Sequence, residues 1–325
     1  MYDSQAWQPT ASIETLKIRA QFLSNIRQFF ATERVMEVDT QTLSLASITD
    51  PHIEALTLST SVLGQQTTYY LQTSPEFAMK RLLCAGTGDI YQLGKAFRAE
   101  DVGRRHAVEF TMLEWYCVDK DHWQLMQQIE QLLQHLFENV SLRCERLSYQ
   151  AAFLKHLNLD PHIAPLSSLQ EIAYRHTEYG SDETDQDVLL DLLFSHVIEP
   201  QLGKHQPCFI HSYPASQAAL AKCIQDTSGV TVASRFELYW QGIELANGYH
   251  ELTDPQEQSR RFKEDLIDRK DAQKALRQVD ERLVTAMQQG LPECAGVALG
   301  VDRLLMLLCQ KQTIAEVIPF ANERA

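Results

Sequence analysis

FRAEDVGRRHAVEFTMLEWY, residues Phe97–Tyr116, begins as a charged run and ends as an alternating apolar strand. Two acids, Glu109 and Glu114, sit in the strand-like half. A half-buried carboxylate must find a partner or shift its pKa, because isolated charge is expensive out of water. In VEFTMLEWY the period of two puts Phe110, Met112, Glu114 and Tyr116 on one face and Thr111, Leu113, Trp115 and Cys117 on the other. The first face presents an aromatic plate, an acid and a phenol in a row.

Working outward, the order is strands, then helices, then strands, without a regular βαβ alternation. Residues 12–32 read as an amphipathic helix with Ser12 as N-cap, its stripe carried by Ile13, Leu16, Leu23, Ile26, Phe29 and Phe30. A short strand (VMEVDT) and two β-rich runs around Gly64 follow. SPEFAMKRLLCAG then starts a helix capped by Ser74, with Gly86 as its stop. From Asp119 to about Gly203 the texture is helical. Strands return in PCFIHSY and RFELYWQGIELANGYHEL, a helix spans roughly 255–289, and GVALGVDRLLMLLC passes from strand into helix. This order predicts an α+β fold on a mainly antiparallel sheet.

Composition narrows the function classes. The chain has 325 residues, 44% hydrophobic and 22% charged, enough for a packed core. Its net charge of −14 argues against broad affinity for nucleic acid, which rests on clustered Lys and Arg. No apolar stretch approaches the ~20 residues that span a bilayer. The N-terminus lacks a secretory pattern, and seven scattered cysteines contain no C-x-x-C. A cytoplasmic protein with reduced thiols is expected. GDIYQLGK has the wrong spacing for a phosphate loop, and HELTD lacks the second histidine of a zincin.

Two further segments carry chemistry. In the hairpin RFELYWQGIELANGYHEL, a two-residue turn at Gln241-Gly242 pairs Tyr239 with Glu244 and Glu237 with Ala246. Glu237 and Glu244 then share a face and can share a hard cation. Strict alternation sends Asn247, Tyr249 and Glu251 to the opposite face unless one extra residue near Ala246–Gly248 forms a bulge. In GVALGVDRLLM, Gly296 and Gly300 bracket a strand-to-helix passage whose amides favour anions, with Arg303 beside them. The plainer alternative there is a packing contact with Asp302 and Arg303 as a local ion pair. Together these segments suit a polyanionic nucleotide with its metal ions, held by Arg98 and Arg303, beside a small cation held by Glu114, Tyr116 and Glu251.

The same residues resemble a known family. FRAEDVGRRHAVEFTMLEWY is similar to motif 2 of class II aminoacyl-tRNA synthetases, GVALGVDRLLM to motif 3, and LSNIRQFFATERVMEVDT to motif 1, the dimer-forming element. TSPEFAMKRLL and FELYWQGIELANGYHELTD point to the lysine subclass. A lysyl-synthetase-like core of this length resembles the elongation factor P–(R)-β-lysine ligases. The resemblance implies one catalytic domain over residues 1–325: an antiparallel sheet flanked by helices, with a helical insertion at about 119–205 and no N-terminal OB-fold anticodon-binding domain. It also implies a homodimer through motif 1, no tRNA binding, and ATP with Mg2+.

Residue by residue, the resemblance gives Arg98 the α-phosphate and assigns Arg303, Arg105 and His106 to the γ-phosphate end. Phe110 stacks on adenine, Glu100 takes its exocyclic amine, and Leu245 and Gly300 lie at the nucleotide. Glu237 and Glu244 hold magnesium. Glu114, Tyr116 and Glu251 grip the side-chain ammonium of (R)-β-lysine or L-α-lysine, Glu76 with Ser74 the other amino group, and Asn247 the carboxylate. Ala298 stands where lysyl synthetases carry glycine and narrows the pocket, and Ala107 stands where the family has asparagine. The acceptor is a lysine of elongation factor P. The alternatives are a truncated lysyl-tRNA synthetase and a non-catalytic regulator.

Overall fold

The computed structural model describes residues 7–99, 102–322 and 324–325, so Glu100 lies outside the described residues. Helix α1 (Ile13–Thr32) starts where the Ser12 hydroxyl accepts from the Thr15 amide. Strands β1 (Met36–Glu37), β2 (Leu43–Ser44), β3 (Thr57–Val62) and β4 (Gln65–Leu71) lead to helix α2 (Glu76–Cys84). Strands β5 (Ile90–Phe97) and β6 (Glu109–Val118) follow, then helix α3 (His122–Leu136). Strand β7 (Glu145–Ser148) interrupts the helical region ahead of α4 (Tyr149–Leu157), α5 (Leu166–Thr177) and α6 (Gln186–Leu193). The last third runs β8 (Cys208–Pro214), β9 (Cys223–Gln225), β10 (Thr231–Trp240), β11 (Ile243–His250), α7 (Pro255–Asp271), α8 (Glu281–Gly290), β12 (Cys294–Gly300) and α9 (Val301–Leu308).

The main sheet has the order β1-β5-β6-β12-β11-β10-β8-β7, with β9 beside β10. Its two end pairs are parallel and the middle is antiparallel throughout. The fold is α+β. One face of the sheet, carrying Leu113, Trp115, Phe236, Val297 and Leu299, packs under α1, α3 and α9 to make the main core. Helices α4 to α6 form a second core against β8. The other face of the sheet is left to carry polar groups.

Three local expectations change. The stripe of α1 runs through Thr15, Arg19, Phe22, Ile26, Phe29 and Phe30, and Ile13 is 60% exposed. Arg19 is buried because it pairs with Asp302 at 2.6 Å and donates to the Thr111 hydroxyl at 2.7 Å. Asp302 also accepts from the Thr111 amide at 2.7 Å, so it ties α1, β6 and α9 together and is no local partner of Arg303. The helix expected over 255–289 is broken. Buried Arg269 gathers the carbonyls of Ala275 and Asp50, both at 2.8 Å, and Asp280 restarts the chain by capping α8.

Candidate active site

The hairpin decides what the polar face contains. Gln241 and Gly242, with φ of +54° and +66°, make the tight turn, and Tyr239 pairs with Glu244 as expected. The extra residue is Leu245, earlier than Ala246–Gly248, so Leu238 pairs with Ala246 and Glu237 pairs with Asn247 instead of Ala246. That single bulge keeps Leu245 in the core and turns Asn247, Tyr249 and Glu251 onto the face of Glu237 and Glu244. A row now crosses five strands: Gln92, Glu114, Ala298, Asn247 and Glu237 are successive neighbours from β5 to β10.

At one end of this face lie the cationic groups. Arg303 donates to the Glu244 carbonyl at 2.9 Å, reaches its carboxylate at 3.4 Å, and contacts the Arg105 carbonyl and the His106 ring. Arg105 donates to the Gly242 carbonyl at 2.9 Å, so the loop between β5 and β6 docks on the hairpin turn. Arg98 stacks its guanidinium over the Phe110 ring at 5.4 Å. Gly300 passes closely beneath Arg303 at the start of α9. Ala107, one residue after His106, is buried in the main core.

The centre holds acids. Glu237 accepts from Tyr213 at 2.6 Å, from Tyr239, and from Arg235 at 2.5 Å. Burial and the Glu237 carboxylate raise the pKa of Glu244. Glu199, at the end of the helical region, is pushed up to about 7 by burial and by Glu244 and Glu237.

The other end is a buried cluster of carboxylates. Glu114, Glu251 and Lys80 are all buried. Tyr116 donates to Glu114 Oε1 at 2.8 Å, while Glu114 Oε2 and Asn247 Oδ1 are buried with no partner among the described residues. Burial, followed by the charge of Glu76, pushes Glu114 up to about 8. Burial pushes Glu251 up to about 7 against the pull of Lys80. Gly296 faces Tyr116 across the β6–β12 ladder, and a Cβ there would collide with its ring and lie 2.6 Å from Glu251 Oε1. Ser74 accepts from the Glu76 amide at 3.2 Å, so it fixes the first turn of α2, whose cap position is Pro75.

Comparison with known proteins fits this geometry. Residues 6–324 match the family described as tRNA synthetases class II (D, K and N). The chain is 50% identical to the elongation factor P–(R)-β-lysine ligase of Pseudoalteromonas translucida, covering 98% of both chains. It is 46% identical to the ligases of that name from Edwardsiella ictaluri and Yersinia enterocolitica, covering each chain in full. The chain belongs to the elongation factor P–(R)-β-lysine ligase family. Membership makes it a ligase built on a class II synthetase domain.

In this family member the residues expected at the site come together on one face: Arg98, Arg105, His106, Phe110, Glu244 and Arg303 at one end, Glu76, Glu114, Tyr116 and Glu251 at the other, with Asn247, Ala298 and Glu237 between. Leu245 leaves only its backbone near this face, its side chain being in the core. Sequence reasoning missed Lys80, Arg235, Tyr213 and Glu199. Lys80 had a signal, its four-residue spacing from Glu76 on a helix. Arg235 had one too, its two-residue spacing from Glu237 on one strand, whereas Tyr213 had none, because only the β8–β10 pairing brings it to Glu237.

Proposed function

We propose that the chain activates (R)-β-lysine as an adenylate and passes the acyl group to a lysine side chain of elongation factor P. The observation that carries this reading is the buried Glu114 Oε2, without a partner among the described residues, in a three-carboxylate cluster on the same side of the sheet as Arg98 and Arg303. A buried acid oxygen without a donor calls for a cationic ligand. The guanidinium groups call for phosphates.

Glu114, Tyr116 and Glu251 take the side-chain ammonium and Glu76 the second amino group. Asn247 turns the carboxylate toward the nucleotide. ATP lies with adenine against Phe110 and its phosphates toward Arg98, Arg105, His106 and Arg303, beside the backbone of Leu245 and Gly300. A carboxylate oxygen attacks the α-phosphorus, pyrophosphate leaves, and Arg98 stabilises the charge that develops there. The ε-amine of the acceptor then attacks the adenylate carbonyl, a C–N bond forms, AMP leaves and the amine proton passes to solvent. Ala298 adds a methyl beside Asn247, worth ~1–3 kcal/mol between two substrate isomers.

Magnesium fits this site as a companion of ATP. Among the described residues no group of three or more His, Cys, Asp or Glu side chains could hold a metal alone. Glu237 and Glu244 supply two oxygen ligands, which is what magnesium takes when phosphate oxygens complete its shell. When bound, the ion neutralises phosphate charge. Arg235, Tyr213 and Tyr239 hold the Glu237 carboxylate in place for it.

We further assign the whole chain to one catalytic domain with the region of about 119–205 as its helical insertion. Its place is the cytoplasm, and its form a homodimer through motif 1, where Met36 is 47% exposed. ATP–pyrophosphate exchange tests the first step. Exchange supported by (R)-β-lysine above L-α-lysine, and lost in Arg98→Ala, is expected; exchange with neither isomer would refute the reading.

A further inference from the structure

Glu76 and Lys80 are four residues apart on α2 and leave it from the same face. Lys80 is no surface partner of Glu76. Its ammonium is fully buried and lies 2.6 Å from Glu76 Oε1 and 2.6 Å from Glu251 Oε2. Glu251 arrives from just beyond β11, on the far side of the pocket. A lysine shut away from water is costly to keep charged unless paired acids compensate it. Burial alone would lower its pKa, but Glu251 and Glu76 outweigh that and hold it above its ordinary value.

The charge this leaves is specific. With Glu76, Glu114 and Glu251 ionised, three negative charges face one positive charge, and the pocket is left at minus two. No other described lysine or arginine pairs with these carboxylates. A substrate with two ammonium groups supplies the missing charge, and one with a single ammonium leaves a buried carboxylate uncompensated. We propose that Lys80 is a positioning residue for the amino-acid site: it bridges Glu76 and Glu251, aims both, and sets the pocket's charge to that of a diamine. This rests on the amino-acid site proposed above.

The thiols and phenols around Lys80 are silent near neutral pH. Cys84 lies on its own helix and Cys294 on β12, and burial raises both thiols. Tyr116 on β6 and Tyr249 on β11 are likewise raised by burial. The pH response of the pocket therefore belongs to its carboxylates, and Lys80 pulls Glu114 and Glu251 toward ionisation.

The test is pyrophosphate exchange by Lys80→Met from pH 6.5 to 9, read as separate KM values for (R)-β-lysine and ATP. At pH 7 the KM for the amino acid is expected to rise about tenfold or more, with that for ATP within twofold. It should fall back toward the wild-type value as pH rises and the released carboxylates ionise. Lys80→Gln, which keeps a hydrogen-bond donor without the charge, takes the same readout if the methionine variant does not fold. An unchanged KM for the amino acid, or an equal rise for both substrates without pH recovery, overturns the inference. Failure of the wild-type protein to exchange with either lysine isomer would instead refute the proposed function and is distinguished by that control.

Discussion

Gly296 tests the geometry of the ammonium pocket at a single atom. Tyr116 and Glu251 close over the space where a side chain would project. Gly296→Ala is expected to cost about 1–3 kcal/mol of stability by overpacking, and to raise the KM for the amino acid more than that for ATP. Chemical denaturation and exchange kinetics read the two effects separately. Protons carry a second test. Burial pushes Glu114 and Glu251 up to about 8 and about 7, so at pH 7 these carboxyls hold protons that an incoming ammonium displaces. Binding is expected to release protons at pH 7, and to release fewer as pH rises beyond 8. Calorimetry in buffers of different ionisation heat measures this. Heats independent of the buffer would contradict it.

Elements place these residues, and some of that placement was legible in the sequence. The period of two in β6 put Glu114 and Tyr116 together correctly because each residue of a strand alternates regardless of its neighbours. The Gln241-Gly242 turn was legible too, since few residues accept positive φ there. The bulge position was not. Nothing local distinguishes Leu245 from Ala246 as the extra residue; its burial in the main core decides it. Arg19 hid the true stripe of α1, because a buried arginine looks polar until Asp302 is brought against it. The break between α7 and α8 was equally hidden, as residues 272–280 contain neither Gly nor Pro. Buried Arg269 imposes it by gathering the carbonyls of Asp50 and Ala275 and the carboxylate of Glu54. Arg269→Leu is therefore expected to lose about 1–3 kcal/mol, because it leaves two carbonyls without their donor while Glu54 keeps Arg277, and urea unfolding measures the loss.

Across the whole molecule, two buried histidines set an acid limit to stability. His122 and His211 lie at the edge of the main core, and burial pushes both down to about 4. Unfolded histidine titrates near pH 6.5, so between about 6.5 and 4 the unfolded chain binds more protons and stability falls as pH drops. The melting temperature is expected to be lower at pH 5 than at pH 7, with a smaller difference in His122→Gln. The net charge of −14 works at the same scale. It offers little to a polyanionic backbone and leaves the acceptor to be chosen by a protein surface. The most direct measurement offers both acceptors together. With ATP and (R)-β-lysine, elongation factor P is expected to gain the mass of one lysyl residue on a lysine side chain while lysine tRNA stays uncharged. Charged tRNA with an unmodified factor would contradict the proposed function.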